Sequence, residues 1–360
     1  MSKESAEAPL QMRDRRHKIG AMYTAYALVR NLERAPGRPS SARAELLFED
    51  FRIWNVTRFE GPNGERSLNP YELFQDARLD SDDWVYERNY ASLPPASGPA
   101  PKGVGGIPED TEDALLLLRL FKTGDISFVR LRIRDQEGNL HSQYPHRVMS
   151  EVPARQLYHL SQDECPKWDT FANELRGSLA WKSCWFGVAR RYFLYGGAKE
   201  FNCYLERQSG VENNEVDRVV DYMIALEAAL VPERDFVSRR LRERAAHLIC
   251  ADPVESEATK KLLRELYDVR STIAHGSPLS DEQRCFLERE RENFENVVRK
   301  SLVESLRKFP AADVTRKDTL SRLWDISDGD RAQKLFEDFG KIKDLREKSI
   351  LLQRLSKRSG

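Results

Sequence analysis

Arg270 and His275, five positions apart, are the residues whose types best fit acid–base chemistry on a phosphate. An imidazole changes its charge near neutral pH, so it can accept or donate a proton during a reaction. A guanidinium presents a planar fork of donors that stabilises the negative charge of a phosphorane. Such a pair could cleave RNA without a metal ion, because attack by the 2′-hydroxyl needs only proton transfer and charge stabilisation.

The spacing of the pair has little specificity by itself, because it occurs a second time as Arg242 and His247. The second pair lies within a helical pattern and predicts an ordinary charged face with a histidine at the edge of the core. His275 instead precedes Gly276, and glycine is frequent just beyond the end of a helix. We therefore expect His275 at a helix terminus, from which its side chain can reach a cleft.

Helical geometry separates the two side chains of the chosen pair. Five residues at 3.6 per turn place Arg270 and His275 about 140° apart around an undistorted helix. We expect them to act on one phosphate only if the helix breaks near Ala274, or if a second copy of the chain completes the site.

Glu227 is a third candidate, on the inward stripe of an earlier helical segment. A carboxylate there needs an arginine or several backbone donors, because an unpaired buried charge is costly. Arg270 is a candidate partner. A packing salt bridge without a catalytic role is the alternative interpretation.

The elements that must position these residues are helices. Apolar residues recur at helical spacing in 215–230, 235–250, 255–274 and 281–309, and long helices with short connections predict a bundle. An earlier helical stripe, more typical of a core than of a base-stacking surface, comprises Trp181, Trp185, Val188, Tyr192 and Tyr195.

The region from about 40 to 150 predicts a β-rich structure. Residues 45–56 are rich in aromatic and β-branched types, and the compact apolar run 114–121 predicts a buried strand. Further upstream, the spacing in 19–32 slightly favours a helix, with a strand left open.

Residues 128–134 alternate, which predicts a strand with Val129, Leu131 and Ile133 on one face and three arginines on the other. The arginine face could bind an anion, although a solvated sheet face is the favoured interpretation. Beyond it, His141 and His146 lack a third well-spaced ligand, so we expect no metal site.

Composition limits the class of protein. The chain has 360 residues, 32% of them charged, with a net charge of zero, so any polyanion must bind at a local patch. No apolar run approaches about 20 residues, and the N-terminus lacks a secretion pattern. The five scattered cysteines form no C-x-x-C and favour a reducing compartment. We expect a cytoplasmic protein without a membrane span.

Two segments resemble the HEPN superfamily, most closely its Apea-like branch. The first is Asp221–Leu230, which contains Glu227, and the second is Leu266–Gly276. The form Tyr-Asp-x-Arg-Ser-x-Ile-x-His-Gly in the second segment is much more specific than the bare pair. The likeness covers roughly residues 170–310.

The resemblance implies a metal-independent endoribonuclease that needs no cofactor and usually works as a homodimer. Arg270, His275 and Glu227 match the family's catalytic positions. Ser271, which follows the arginine, matches a substrate-binding position that is Asn, Asp or His in many active members. Many such proteins are prokaryotic toxins or antiviral-defence effectors.

The sequence thus predicts an α+β protein in four parts. They are an N-terminal extension (1–40), a β-rich domain (41–160), a HEPN-like helical bundle (161–310) and a helical, basic C-terminal tail (311–360). The last 20 residues hold seven basic and two acidic residues, 7 − 2 = +5, which could contact RNA phosphates. A solvated helical face is the favoured interpretation of that tail.

Three functional hypotheses remain. The first is an RNase that cleaves RNA by 2′-hydroxyl attack, with the β-rich region sensing a trigger or restraining activity and a regulatory protein as a further partner. The second is a non-catalytic bundle that binds RNA, nucleotide or protein. In the third, Arg270 only bonds Glu227, and His275 only caps a helix.

Overall fold

The computed structural model describes most of the first 309 residues and three residues beyond them. The described residues are 23–34, 45–56, 69–75, 79, 82–96, 104–135, 137–143, 156–198, 214–233, 236–309, 316 and 319–320. Most of the predicted N-terminal extension, the histidine at position 146 and nearly all of the predicted basic tail lie outside these residues.

An antiparallel sheet forms the N-terminal part. The strands are β1 Tyr23–Arg30, β2 Leu32–Arg34, β3 Glu45–Leu47, β4 Phe51–Asn55, β5 Trp84–Tyr90, β6 Ser127–Asp135, β7 Leu140–Gln143 and β8 Tyr158–Leu160. Six of them form one sheet in the order β3-β4-β5-β1-β6-β7. The short strands β2 and β8 pair in parallel as a second sheet.

Helices make up most of the remainder. They are α1 Pro70–Leu73, α2 Ile107–Phe121, α3 Cys165–Gly177, α4 Cys184–Ala198, α5 Asn214–Leu230, α6 Val237–Ile249, α7 Pro253–Ala274 and α8 Asp281–Lys308. The predicted α+β class is confirmed, with the β-rich part first and the helices after it. Among the described residues, no helix is both long and apolar enough to cross a bilayer.

The slight preference for a helix in residues 19–32 is wrong, because Tyr23–Arg30 form strand β1. β1 is a central strand between β5 and β6, and its residues from Ala25 to Val29 are buried on both faces. A strand buried on both faces carries a continuous apolar run instead of an alternation. The periodicity therefore could not distinguish it from a helix.

The predicted buried strand at 114–121 is wrong, because this run is the second half of helix α2. The helix begins at Ile107 with Pro108 in its first turn, followed by Glu109 and Asp110, which favour a helix N-terminus. Its later residues are buried almost without exception. A helix surrounded by core shows no amphipathic period, so its apolar run resembled a strand.

Strand β6 is present, but its faces differ from the predicted alternation. Arg130 has a φ of +58°, and the register against β1 shifts at this point. The resulting β-bulge sends Val129 to the face opposite Leu131 and Ile133, into a second apolar cluster. Arg132, on the predicted solvated face, is only 5% exposed, and its Nε donates to the carbonyl of Leu73 at 3.3 Å.

The four predicted bundle helices are confirmed as α5 to α8, within two residues at each end. The predicted aromatic stripe is not one continuous helix, because a 3₁₀ turn at Leu179–Lys182 separates α3 from α4. Trp181 and Trp185 are buried as expected, whereas Val188 is 44% exposed.

One apolar core runs through both the sheet and the bundle in the described chain. A single cluster of contacting buried residues includes Phe51 of β4, Leu117 of α2, Tyr222 of α5 and Leu302 of α8. All eight described strands lie before the predicted boundary near residue 160, but so do helices α1 and α2, and the boundary does not separate two cores.

The turn between α2 and β6 adds ionic links to this shared core. Arg291 of α8 donates to both carboxylate oxygens of Asp125, at 2.8 and 2.7 Å, and Arg218 of α5 lies 3.4 Å from the same carboxylate. Glu295 of α8 accepts a hydrogen bond from the backbone N–H of Gly124 at 3.2 Å. The sheet is therefore tied to α5 and α8 by charged groups as well as by apolar packing.

Candidate functional site

Helix α7 contains Arg270 and Ser271, two of the four predicted site residues, and His275 caps its C-terminus. Its inward stripe of Leu263, Leu266 and Val269 is almost fully buried. Arg270 follows Val269 at the edge of this stripe, and its side chain is 28% exposed. The guanidinium is thus anchored at the border between core and solvent.

Arg270 and Glu227 are brought together, as the sequence predicted. The Nη2 atom of Arg270 lies 3.7 Å from Oε1 of Glu227 on α5, a separation that allows an ion pair but exceeds a hydrogen bond. Burial raises the pKa of Glu227, and the positive charge of Arg270 opposes part of this shift. The carboxylate is therefore only partly stabilised by its arginine.

The loose pairing leaves polar atoms without hydrogen bonds. Oε1 of Glu227 and Nε of Arg270 are both buried and have no hydrogen-bond partner in the described part of the chain. Arginine Nε atoms are unpartnered at several other positions as well, so the carboxylate oxygen of Glu227 is the more informative of the two. Buried carboxylate oxygens without donors are uncommon in native structures, so this one calls for an explanation.

Tyr267, one turn before Arg270, holds the guanidinium from a second side. The Cζ atom of Arg270 lies 5.6 Å from the centroid of the tyrosine ring, within the range of a cation–π interaction. Residues three apart on a helix are neighbours. Arg270 is therefore positioned by a ring and a carboxylate, of which Tyr267 was not predicted from the sequence.

The C-terminus of α7 is closed by a defined capping motif. Gly276 has a φ of +70°, its N–H donates to the carbonyl of Ile273 at 2.9 Å, and the N–H of Ser277 donates to Thr272 at 3.1 Å. These bonds form a Schellman motif, which requires a left-handed residue that glycine adopts without strain. The predicted stop at Gly276 is confirmed.

His275 is the capping residue, and its side chain is exposed to solvent. Its backbone N–H donates to the carbonyl of Ser271, whose own side chain is half-buried. No hydrogen bond or ion pair engages the imidazole within the described structure. The ring is therefore free to contact a ligand or a second subunit.

The structure does not show the helix break that would bring His275 to Arg270 within one chain. Helix α7 continues through Ala274, so the separation of about 140° between the two side chains stands. Within one chain, the two side chains therefore do not point toward one phosphate.

The end of α7 is also fixed relative to the start of α8. The side-chain oxygen of Thr272 donates to the carbonyl of Asp268 at 3.0 Å and accepts from Nε2 of Gln283 at 3.4 Å. Gln283 in turn completes a capping box with Ser280 at the start of α8. These contacts hold the turn that carries His275 in one orientation.

The histidine of the second arginine–histidine pair is more exposed than the sequence predicted. His247 is exposed instead of lying at the core edge, and together with Arg242 it lines a groove between α6 and α7. A cluster of basic residues on α7, Lys260, Lys261 and Arg264, was the available signal, because helix neighbours recur three to four positions apart.

No group of three His, Cys, Asp or Glu side chains suited to a metal ion occurs among the residues that the structure describes. His141 contacts Asp135 at 3.1 Å, without a third such ligand.

Comparisons with protein-family models, curated proteins and solved structures found no match to this chain.

Proposed function

We propose that this chain is a metal-independent endoribonuclease of HEPN type that acts as a homodimer. The observation that carries the proposal is the arrangement on α7. An exposed imidazole caps the helix, and a guanidinium held by a poorly stabilised carboxylate lies just over one turn before it. This arrangement combines a proton-transfer group with a charge-stabilising group at one helix end.

In this proposal, a second copy of the chain brings Arg270 and His275 to the same phosphate, which one copy does not do. Arg270 and His275 face different directions on an unbroken helix, so one phosphate cannot reach both in a single chain. In a two-fold dimer, the same surface of both subunits forms the interface, so a residue of one subunit can contact a different residue of the other. Pairing through the α7 ends then sets Arg270 of one subunit against His275 of the other.

The reaction uses only groups of the protein and the RNA. An imidazole accepts the proton of the 2′-hydroxyl, the 2′-oxygen forms a bond to phosphorus, and the bond to the 5′-oxygen breaks. That oxygen takes a proton from water, and the imidazolium returns its proton to the solvent. Arg270 stabilises the phosphorane charge, Glu227 positions Arg270, and Ser271 binds the substrate near His275. The products carry 2′,3′-cyclic phosphate and 5′-hydroxyl ends.

The biological setting follows from the resemblance in the site motif. We propose a prokaryotic toxin or antiviral-defence effector in the cytoplasm, where its RNA substrates lie. Restraint of the nuclease by the β-rich part, or by a regulatory protein bound to it, is consistent with the shared core that links the sheet to α5 and α8.

A second candidate function is a non-catalytic module that binds RNA, a nucleotide or a protein. It is favoured by the contacts of Arg270, whose guanidinium is already engaged by Glu227 and Tyr267. Under this alternative, Arg270 and His275 contact a ligand without transferring protons, and RNA stays intact.

The decisive test incubates purified protein with total RNA in EDTA. Wild-type protein should produce cyclic-phosphate ends, and His275→Ala should lower the cleavage rate at least about 100-fold while remaining dimeric. His159→Ala is the matched control, because His159 is also exposed and lies on β8. Cleavage that persists in His275→Ala at the wild-type rate would overturn the proposal. Intact RNA together with a gel shift would support the non-catalytic module.

Subunit mixing tests the shared site directly. Arg270→Ala and His275→Ala should each be inactive alone. When they are co-expressed, half of the dimers are mixed, and each mixed dimer has one complete site, so activity should recover to about a quarter of wild type. Recovery shows that the two residues act across the dimer. No recovery, with mixed dimers demonstrated by differential tags, contradicts the two-chain site.

A further inference from the structure

A groove of about 990 Å³ lies between helices α6 and α7, away from Arg270. Its basic lining residues are Arg242, His247, Lys260, Lys261 and Arg264. It was not part of the site predicted from the sequence.

The charges in this groove are only partly neutralised by the protein. Lys260 is paired, with Glu257 at 2.9 Å and Glu243 at 3.2 Å. Arg242 and Arg264 have no ion pair or hydrogen bond with any residue that the structure describes. Two guanidinium groups therefore line this groove without an ion pair of their own in the described chain.

The neighbouring charges favour the same conclusion. Lys261 has only a contact of 4.0 Å with Glu265, and Lys261 is 70% exposed. Three carboxylates also line the groove, those of Glu243, Asp252 and Glu257, so its lysines and arginines leave an excess of 4 − 3 = +1. A ligand with several negative charges at intervals would complement this surface.

The groove continues around the end of α6. A second groove of about 660 Å³ shares His247, Cys250 and Ala251 with the first. Of the cations of α8 that line it, Arg299 is already bonded to the carbonyls of Leu120 and Phe121, whereas Lys300 is 42% exposed and has a contact of 3.9 Å with Glu255. The two grooves together form an extended basic surface, which suits a long anion better than a single phosphate.

Helix geometry aligns this surface with His275. Eleven residues separate Arg264 from His275, or about 1,100°, which is only about 20° beyond three full turns. Ser271, seven residues after Arg264, falls about 20° short of two turns. These three residues therefore share one face of α7, over a rise of about 16 Å, while Arg270 lies on another face.

We propose that the α6–α7 groove binds the phosphate backbone of an RNA strand and leads that strand along α7 to His275. Arg242 and Arg264 contact successive phosphates, and Lys261 adds charge at the rim. The proposal rests on the function proposed above, because it supplies the substrate path for that nuclease. Backbone contacts of this kind position the nucleic acid without reading its sequence.

The test measures binding separately from cleavage. Fluorescence anisotropy with a fluorescein-labelled 15-nucleotide oligouridine is recorded in the His275→Ala background between 50 and 200 mM salt. The variant is Arg242→Gln with Arg264→Gln. The control is Lys167→Gln with Lys182→Gln, which removes the same charge from two exposed lysines outside the groove.

The expected result is a weaker and less salt-dependent complex. Removing two phosphate contacts from a single strand should reduce the slope of log K against log salt by about 1.4. Between 50 and 200 mM salt, the affinity of the parent should then fall about 7-fold more than that of the groove variant. The lysine control should keep the slope of its parent, the His275→Ala protein. Equal slopes for parent and groove variant, or no oligouridine binding by the parent, would overturn the proposal.

Failure of this inference can be told apart from failure of the nuclease. If wild-type protein leaves RNA intact but the groove variant loses affinity and slope, the groove binds RNA and the proposed catalysis is wrong. If wild-type protein cleaves RNA and the groove variant binds and cleaves equally well, the nuclease stands and the groove proposal is wrong.

Discussion

Replacing Gly276 with alanine tests whether the end of α7 presents His275 as the structure shows. At a φ of +70°, a Cβ would meet no atom within 4 Å, so the substitution adds backbone strain without a steric clash. A left-handed conformation costs a non-glycine residue about 1–2 kcal/mol. The loss of glycine's freedom in the unfolded chain offsets about 0.4–1 kcal/mol. The net loss should be about 1 kcal/mol.

A second glycine gives a matched control, in which substitution by alanine should change the stability in the opposite direction. Gly187 lies inside α4, and a Cβ there would also meet nothing within 4 Å. Alanine is favoured over glycine in a helix interior by about 0.5–1 kcal/mol. Gly187→Ala should therefore stabilise the protein, although the chemical change is identical to that at Gly276.

Thermal denaturation measures both variants in one assay. For a chain of this size, 1 kcal/mol corresponds to about 1–2 °C in Tm. Gly276→Ala should lower Tm by that amount, Gly187→Ala should raise it, and Gly276→Asn should fall between wild type and Gly276→Ala, because asparagine tolerates the left-handed region.

RNA cleavage provides the functional half of the experiment. Because the Schellman bonds fix the residue that precedes Gly276, Gly276→Ala should also reduce cleavage at temperatures where the protein remains folded. Gly187→Ala should leave cleavage unchanged. A Gly276→Ala protein that is as stable and as active as wild type would refute the reasoning about this helix end.

Three further predictions concern the charged groups. Arg270→Lys keeps the charge but loses the planar fork, so cleavage should fall about 100-fold in a kinetic assay without loss of the dimer. The pKa of Glu227 is raised on folding by burial, so this group lowers stability as pH rises above about 4.5. Urea titrations should therefore show the stability of Glu227→Gln relative to wild type increasing with pH, and a pH-independent difference contradicts this. Burial tends to raise the pKa of Asp125, but Arg218 and Arg291 lower it overall, so its contribution to stability is lost as pH falls. Asp125→Asn should cost about 3 kcal/mol near neutral pH by urea titration, and a loss that is equally large in acid would contradict the assignment.

The helices that carry the site could be predicted because each has one apolar face and a clear end. Helix α7 begins after Asp252, whose side chain caps it, and ends at Gly276. Both signals are visible in the sequence. The proximity of Arg270 to Glu227 followed from the same pattern, since Glu227 falls on an inward stripe.

The elements at the centre of the fold could not be predicted in this way. Strand β1 and the second half of α2 are buried on every side, so neither shows the alternation that identifies its type. The bulge at Arg130 depends on a single left-handed arginine, which no residue preference indicates. The groove between α6 and α7 arises from two helices, and the sequence does not show which of their faces meet.

The single core has a consequence for how activity could be regulated. Because the sheet, α5 and α8 share buried side chains and the Asp125 ion pairs, the N-terminal part cannot leave the helices as a detachable cap would. A fragment starting near residue 161 would expose the buried surface of α5 and α8 and should aggregate when expressed alone. Any signal received by the strands must therefore travel as a small shift of packed elements, with the two halves still in contact.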